Sequence, residues 1–152
     1  MNIHFIKSSE KKRLLEQLKE QFGLDSLPYL LIESGKEKVR AFSGHLSKEE
    51  ILKISQLANI EVIGLYLLRR EHDLRLSFDA ASLVSKQISG NILEIDKEQM
   101  EKWIRGQNLE IPQNSQKTET LVIKYQNFFL GSGRLKDGIL INHVPKERRL
   151  KK

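Results

Sequence analysis

The sequence predicts an α+β fold: an N-terminal α/β part followed by a smaller, mostly-β part with one helix. Three observations predict it. Capped segments of helical period alternate with short β-branched runs through the first part of the chain. The pattern restarts at Ser89-Gly90-Asn91. Beyond that restart, strand-like runs and turns surround a single helical segment. The boundary accordingly falls near residues 88–91 and divides the chain into residues 1–89 and 90–152.

In the first part, residues 9–22 (SEKKRLLEQLKEQF) place Leu14, Leu15, Leu18 and Phe22 on one helical face. Ser8 or Ser9 is placed to cap that helix and Gly23 to end it. LPYLLIE, the turn SGKEK and VRAFS read as a β-hairpin. Ser47 and Glu50 form a capping box and predict a helix to about Leu57. Residues Ile60–Arg70 suit a buried strand, and Glu71-His72-Asp73 a turn. LRLSFD alternates as a strand, with Leu74, Leu76 and Phe78 on one side, and Asp79 is placed to cap a helix through Gln87.

In the second part, NILEI is a short strand, and Asp96 with Gln99 caps a helix that closes at Gly106. IPQNSQKTET is a polar loop. TLVIKYQNFFLGSG reads as a strand with a glycine-marked end, RLKDG as a turn and ILINHV as the last strand.

The chain has 152 residues and no cysteine, which excludes disulfides, thiolate metal sites and a cysteine nucleophile. No apolar run reaches the roughly 18 residues that span a bilayer. The N-terminus MNIHFIKSSEKKR lacks an apolar signal core, so an intracellular, cytoplasmic location is expected, with no membrane partner. The net charge is +6, and residues 117–152 carry all of it, with nine basic side chains against three acidic ones. A positive field at one end suggests a polyanionic partner there; the plainer reading is a solvated tail.

The motifs for catalysis are weak. Four histidines, at positions 4, 45, 72 and 143, lack the spacing of a helical metal pair, and no metal or other cofactor is expected. Glu71-His72-Asp73 reads as a polar turn. Gly131, Gly133 and Gly138 do not have the spacing of a dinucleotide-binding loop; they suit a sharp bend, a bulge or close approach of another backbone. Trp103, with Met100 and Ile104, suits the buried stripe of its helix. Lys102, Arg105 and Gln107 lie around that helix's end, where they could grip RNA or simply be solvated.

These stretches carry a resemblance. From about Asn91 to Arg149, NILEIDKEQMEKWIRGQNL and FFLGSGRLKDGILINHVPKERRL resemble a PUA domain. The ending is similar to the PUA-like tail of Sun-type rRNA cytosine-5 methyltransferases, at Gly131, Gly133, Lys136, Asp137, Gly138, Asn142, Pro145, Lys146 and Arg149. The junction LRLSFDAASLVSKQISGNILEIDKEQMEKWIRG resembles that of the nucleolar pre-ribosome assembly family, which joins a pre-PUA α/β domain to a PUA domain. The resemblance implies a pre-PUA-like domain over residues 1–89 and a PUA-like barrel over residues 90–152. It also implies an archaeal RNA-binding accessory protein of rRNA or tRNA modification or ribosome assembly. Those methyltransferases attack with a cysteine, which this chain lacks, and no glycine-rich methyl-donor motif is present, so the resemblance carries over binding and not methyl transfer.

The expected RNA-binding residues are therefore Lys102, Arg105, Arg134, Lys136, Lys146, Arg148 and Arg149, with Lys151 and Lys152 adding looser attraction. Arg69, Arg70 and Arg75, flanking one hairpin turn, could extend that surface, but they read rather as solvated charges. The expected partner is rRNA or tRNA, together with an RNA methyltransferase or a ribosome-assembly protein. The alternative is a protein-interaction subunit acting in trans with an RNA methyltransferase, its RNA contact incidental. A small RNA-processing enzyme using His72 and Asp79 is the third class, and a non-enzymatic protein is expected over it.

Overall fold

The computed structural model describes residues 2–112 and 118–151. Its architecture is α+β, built on two five-stranded sheets. The first sheet runs in chain order: β1 (His4–Phe5), β2 (Leu30–Ser34), β3 (Lys38–Phe42), β4 (Leu65–Arg70) and β5 (Leu74–Leu76). Every neighbouring pair in it is antiparallel. Helix α1 (Ser8–Phe22) covers one face, burying Leu14, Leu18 and Phe22 against Leu31, Val39, Leu67 and Leu68. Each such side chain contributes about 1.5–3 kcal/mol by leaving water. Helix α2 (Lys48–Leu57) covers part of the other face through Ile51, which meets Ile32 and Ile63.

A short helix, α3 (Phe78–Leu83), leads out of the first sheet. The second sheet comprises β6 (Ile92–Glu94), β7 (Leu109–Glu110), β8 (Glu119–Tyr125), β9 (Phe128–Lys136) and β10 (Ile139–Ile141), in spatial order β6-β8-β9-β10-β7. It curls into a half-barrel. Only the β6–β8 pair is parallel. Helix α4 (Lys97–Trp103) drives Trp103 into a core of Ile123, Leu135, Leu140 and Val144.

The two sheets share packing. Val122 of β8 belongs to the core under α1, and Phe78 of α3 packs into the core around Trp103. Ser132 of β9 donates its hydroxyl to the Leu76 carbonyl at 2.5 Å, and the Asn91 amide donates to the Gln21 carbonyl at 2.5 Å.

Several elements differ from the sequence reading. The N-cap of α1 is Lys7, with no side-chain bond, rather than Ser8 or Ser9. The strand expected from Ile60 begins at Leu65, because Gly64 turns the chain at φ +73° and the Arg40 guanidinium holds the carbonyls of Ile63 and Gly64 at 2.8–3.2 Å. Ser77, not Asp79, caps the following helix, which ends at Leu83 before a 3-10 turn at Ser85–Gln87. The expected single strand ending at the glycines is two strands, β8 and β9, joined at Gln126-Asn127, and the glycines lie inside β9. The last strand stops at Ile141, where the Asn142 side chain takes over the bonding. The polar loop expected over 111–120 lies partly outside the described residues, as does Lys152.

Candidate nucleic-acid interface

The site is built on the C-terminal end of α4. Asp96 and Gln99 form a reciprocal capping box at its start, with bonds of 2.8 and 3.0 Å. Trp103 near its end is fully buried and donates its indole N–H to the Leu130 carbonyl at 2.8 Å. Gly133 makes room for that ring, since a Cβ there would stand 2.7 Å from Trp103 Cη2. Two residues earlier in β9, Gly131 takes φ +76° where β9 slips register against β8. The glycine motif thus serves a bulge and a close approach.

The helix leaves carbonyls without partners at its end. Asn142 supplies them: its side-chain amide donates to Trp103 O at 2.7 Å and to Gln107 O at 2.9 Å, and its oxygen accepts the Val144 N–H at 2.8 Å. Beyond Pro145, Lys146–Arg148 form a 3-10 turn. The Arg149 guanidinium then lies over Gly106, where a side chain would collide with it, and donates from Nε to the Val144 carbonyl at 2.9 Å. The Leu150 N–H donates to the Ile104 carbonyl at 2.9 Å. The basic tail is therefore fastened to the end of α4 as far as Leu150.

This arrangement brings Arg149 beside Arg105 and Gly106, close to the last turn of α4 that carries Lys102. Lys102, Arg105, Lys146 and Arg148 are exposed. Lys102 pairs with Glu98 at 3.1 Å, an exposed contact of little energetic weight. Arg148 pairs with Asp79 of α3 at 3.0 Å, which ties the tail to the first sheet's exit helix. Lys136 stands at the tip of the β9–β10 hairpin, beside Asp137 and Gly138, apart from the group at the helix end.

Arg134 points elsewhere. It lies 3.9 Å from Glu71, whose carboxylate also holds Arg69 at 3.0 Å and Arg75 at 3.4 Å. His143 shares this neighbourhood. Burial, followed by the charges of Arg75, Arg134 and Arg69, pushes its pKa down to about 4, even though the residue presents part of its surface to solvent. The ring is therefore neutral at pH 7. Arg70 has a different role from its neighbour: it is clamped between Glu10 and Glu33 at 2.5 and 2.9 Å, joining α1 to β2. Of the seven expected contact residues, the helix end gathers Lys102, Arg105 and Arg149, the 3-10 turn adds Lys146 and Arg148, and Arg134 joins arginines that the sequence reading set aside. The sequence places Arg69 and Arg75 about one hairpin turn, where β4 and β5 pair them; only the crossing of β9 over β5 brings Arg134 to them.

Among the described residues, no three His, Asp or Glu side chains gather as a metal site requires.

Residues 90–150 match the family model of the methyltransferase RsmF PUA domain. The match identifies residues 90–150 as a PUA domain. The solved structure of a conserved PUA domain protein from Thermoplasma acidophilum is similar over 95% of both chains, with a TM-score of 0.63 and 18% identity. No curated protein sequence matches the chain. PUA domains are RNA-binding modules of RNA-modification proteins, so the domain indicates an RNA-binding role.

Proposed function

We propose that the protein is a non-catalytic RNA-binding accessory protein of rRNA or tRNA modification or ribosome assembly, acting inside the cell. The observation that carries the reading is the basic tail of the PUA domain, pinned by Asn142 and Arg149 against the end of α4. A pinned cation costs less entropy to use than a frayed one. Arg105, Lys146 and Arg148 meet phosphates, and the backbone around Gly106 allows an RNA strand to come close. Phosphate contacts supply affinity and position, while the choice of RNA rests on its shape and unpaired bases.

The test is fluorescence anisotropy with labelled rRNA and tRNA fragments across a salt series. Log affinity falls linearly with log salt, each phosphate contact contributing roughly 0.7 to the slope on single strands. An Arg105→Glu, Lys146→Glu double variant, both positions being exposed and outside the pinning bonds, binds more weakly with a shallower slope. A folded wild type that binds no RNA at low salt refutes the reading.

A second reading has one observation in its favour. The end of α2 and the loop after it expose Leu57 (88%) and Val62 (67%), with Leu52 and Ile54 beside them. An apolar patch of this kind suits a protein partner, such as an RNA methyltransferase acting in trans. If that is the main role, Leu57→Asp abolishes function while RNA binding stays intact.

A further inference from the structure

The first sheet has a face that neither helix covers fully, and it is basic around one aromatic ring. Lys38 lies opposite Arg69, and Arg69 opposite Arg75, so three cations stand in a row across β3, β4 and β5. In the adjoining row Arg40 lies opposite Tyr66. A regular strand would alternate Tyr66 and Arg69 onto opposite faces. A register slip between Val39 and Arg40 leaves Leu67 without a cross-strand partner and brings both side chains to the same face. The Lys38 ammonium then lies 5.6 Å from the centre of the Tyr66 ring. Glu71 draws Arg69, Arg75 and Arg134 of β9 together, and Glu37 pairs with Arg69 at 2.5 Å. Five cations (Lys38, Arg40, Arg69, Arg75 and Arg134) thus face two carboxylates.

Like charges directly opposite each other weaken a sheet. The bulge turns Leu67 and Leu68 together into the core, but the row of like charges left around the ring on the other face still breaks that local rule. Departures of that kind occur where a surface has a task. A partly exposed ring beside guanidiniums is the arrangement on which single-stranded nucleic acid stacks a base and rests its phosphates.

We propose that this face, from Lys38 and Tyr66 to Arg134, is a second RNA-binding surface that takes a single-stranded segment of the RNA held by the PUA domain. The proposal rests on the reading that the PUA domain binds RNA. Arg134 belongs to the PUA domain and to this cluster, which makes the surface continuous with that domain. Burial holds the Tyr66 phenol above its usual pKa, so it stays a neutral donor.

The experiment compares two labelled probes by anisotropy: a 12-nucleotide oligouridylate, and an rRNA hairpin with the same single-stranded extension. A Lys38→Gln, Tyr66→Leu variant replaces the ring with a smaller aliphatic side chain and leaves the Arg40 and Glu71 bonds intact. It is expected to bind oligouridylate roughly tenfold more weakly, from the loss of one stacked base and one phosphate contact. The Arg105→Glu, Lys146→Glu variant mainly weakens the hairpin. If the folded Lys38/Tyr66 variant binds both probes as the wild type does, this second surface is refuted and the PUA reading stands. If the wild type binds neither probe, both fall. If a polyglutamate peptide binds this face and oligouridylate does not, the surface takes an acidic protein and the proposal is overturned. Cross-linking of the wild type to a 4-thiouridine oligomer checks the same point without a variant: attachment at Tyr66 is expected, and attachment confined to residues 102–150 overturns the proposal.

Discussion

The carboxamide of Asn142 satisfies Trp103 O, Gln107 O and the Val144 N–H at once. Its loss removes three bonds at about 1 kcal/mol each and leaves Gln107 O and the Val144 N–H without this partner, while Trp103 O keeps the Gly106 N–H at 3.0 Å. Asn142→Ala is expected to lower stability by about 2–3 kcal/mol in urea titration and to loosen the tail, reducing RNA affinity through Arg149. Asn142→Asp is expected to do no better, because a carboxylate cannot donate and sits against the carbonyl end of α4. Its neighbour His143 makes a pH prediction. Its pKa lies at about 4 in the fold, against 6.5 for a free histidine. Between those values the unfolded chain binds the extra proton, so stability falls as pH drops from about 6.5 towards 4. The melting temperature of His143→Gln should therefore fall less over that interval than that of the wild type. Parallel curves for the two proteins would show that neither burial nor the arginine cluster lowers the affinity of this ring for a proton.

Elements with a capping signal were legible. The box at Ser47 and Glu50 starts α2, the box at Asp96 and Gln99 starts α4, and Gly23 ends α1 at φ +84°. These signals are local hydrogen bonds, so a single stretch of sequence contains both partners. Strands β1 and β7 have two residues each and exist only because a partner strand binds them, which no local pattern records. Strand β9 was misread for a physical reason. The expected bulge is present at Gly131, but the strand continues through it, because Gly133 admits the indole of Trp103 where a bend was also open. Gly133→Ala tests this directly. A Cβ would meet Trp103 Cη2 at 2.7 Å and Leu140 Cδ1 at 2.9 Å. Neither neighbour can retreat in a filled core, so a loss of about 1–3 kcal/mol is expected by chemical denaturation. An unchanged midpoint would mean that the ring can shift.

At the scale of the whole molecule, the expected division at residues 88–91 follows a change in sequence pattern, whereas the packing runs across it. The amides of Ser89 and Gly90 donate to the Phe22 carbonyl at 2.8 and 3.2 Å, and Val122 is buried in the core that α1 covers. Arg148 reaches Asp79, and Arg134 reaches Glu71. The same crossing explains why the basic rim was legible residue by residue but its grouping was not. Charge can be counted along a chain, but which cations meet depends on β9 passing β5. Shared cores of this kind couple unfolding. Trp103 is the only tryptophan and reports on the second sheet, while far-UV circular dichroism reports on the whole chain, including α1. The two signals are expected to trace one coincident transition in urea. A fragment of residues 90–152 alone should unfold at lower denaturant and less cooperatively, because Val122 loses its cover. Two separated transitions in the intact chain, with a fragment as stable as the whole, would instead establish two independent folding units. The Tyr66 surface and the PUA tail would then have to be joined by the RNA and not by the protein.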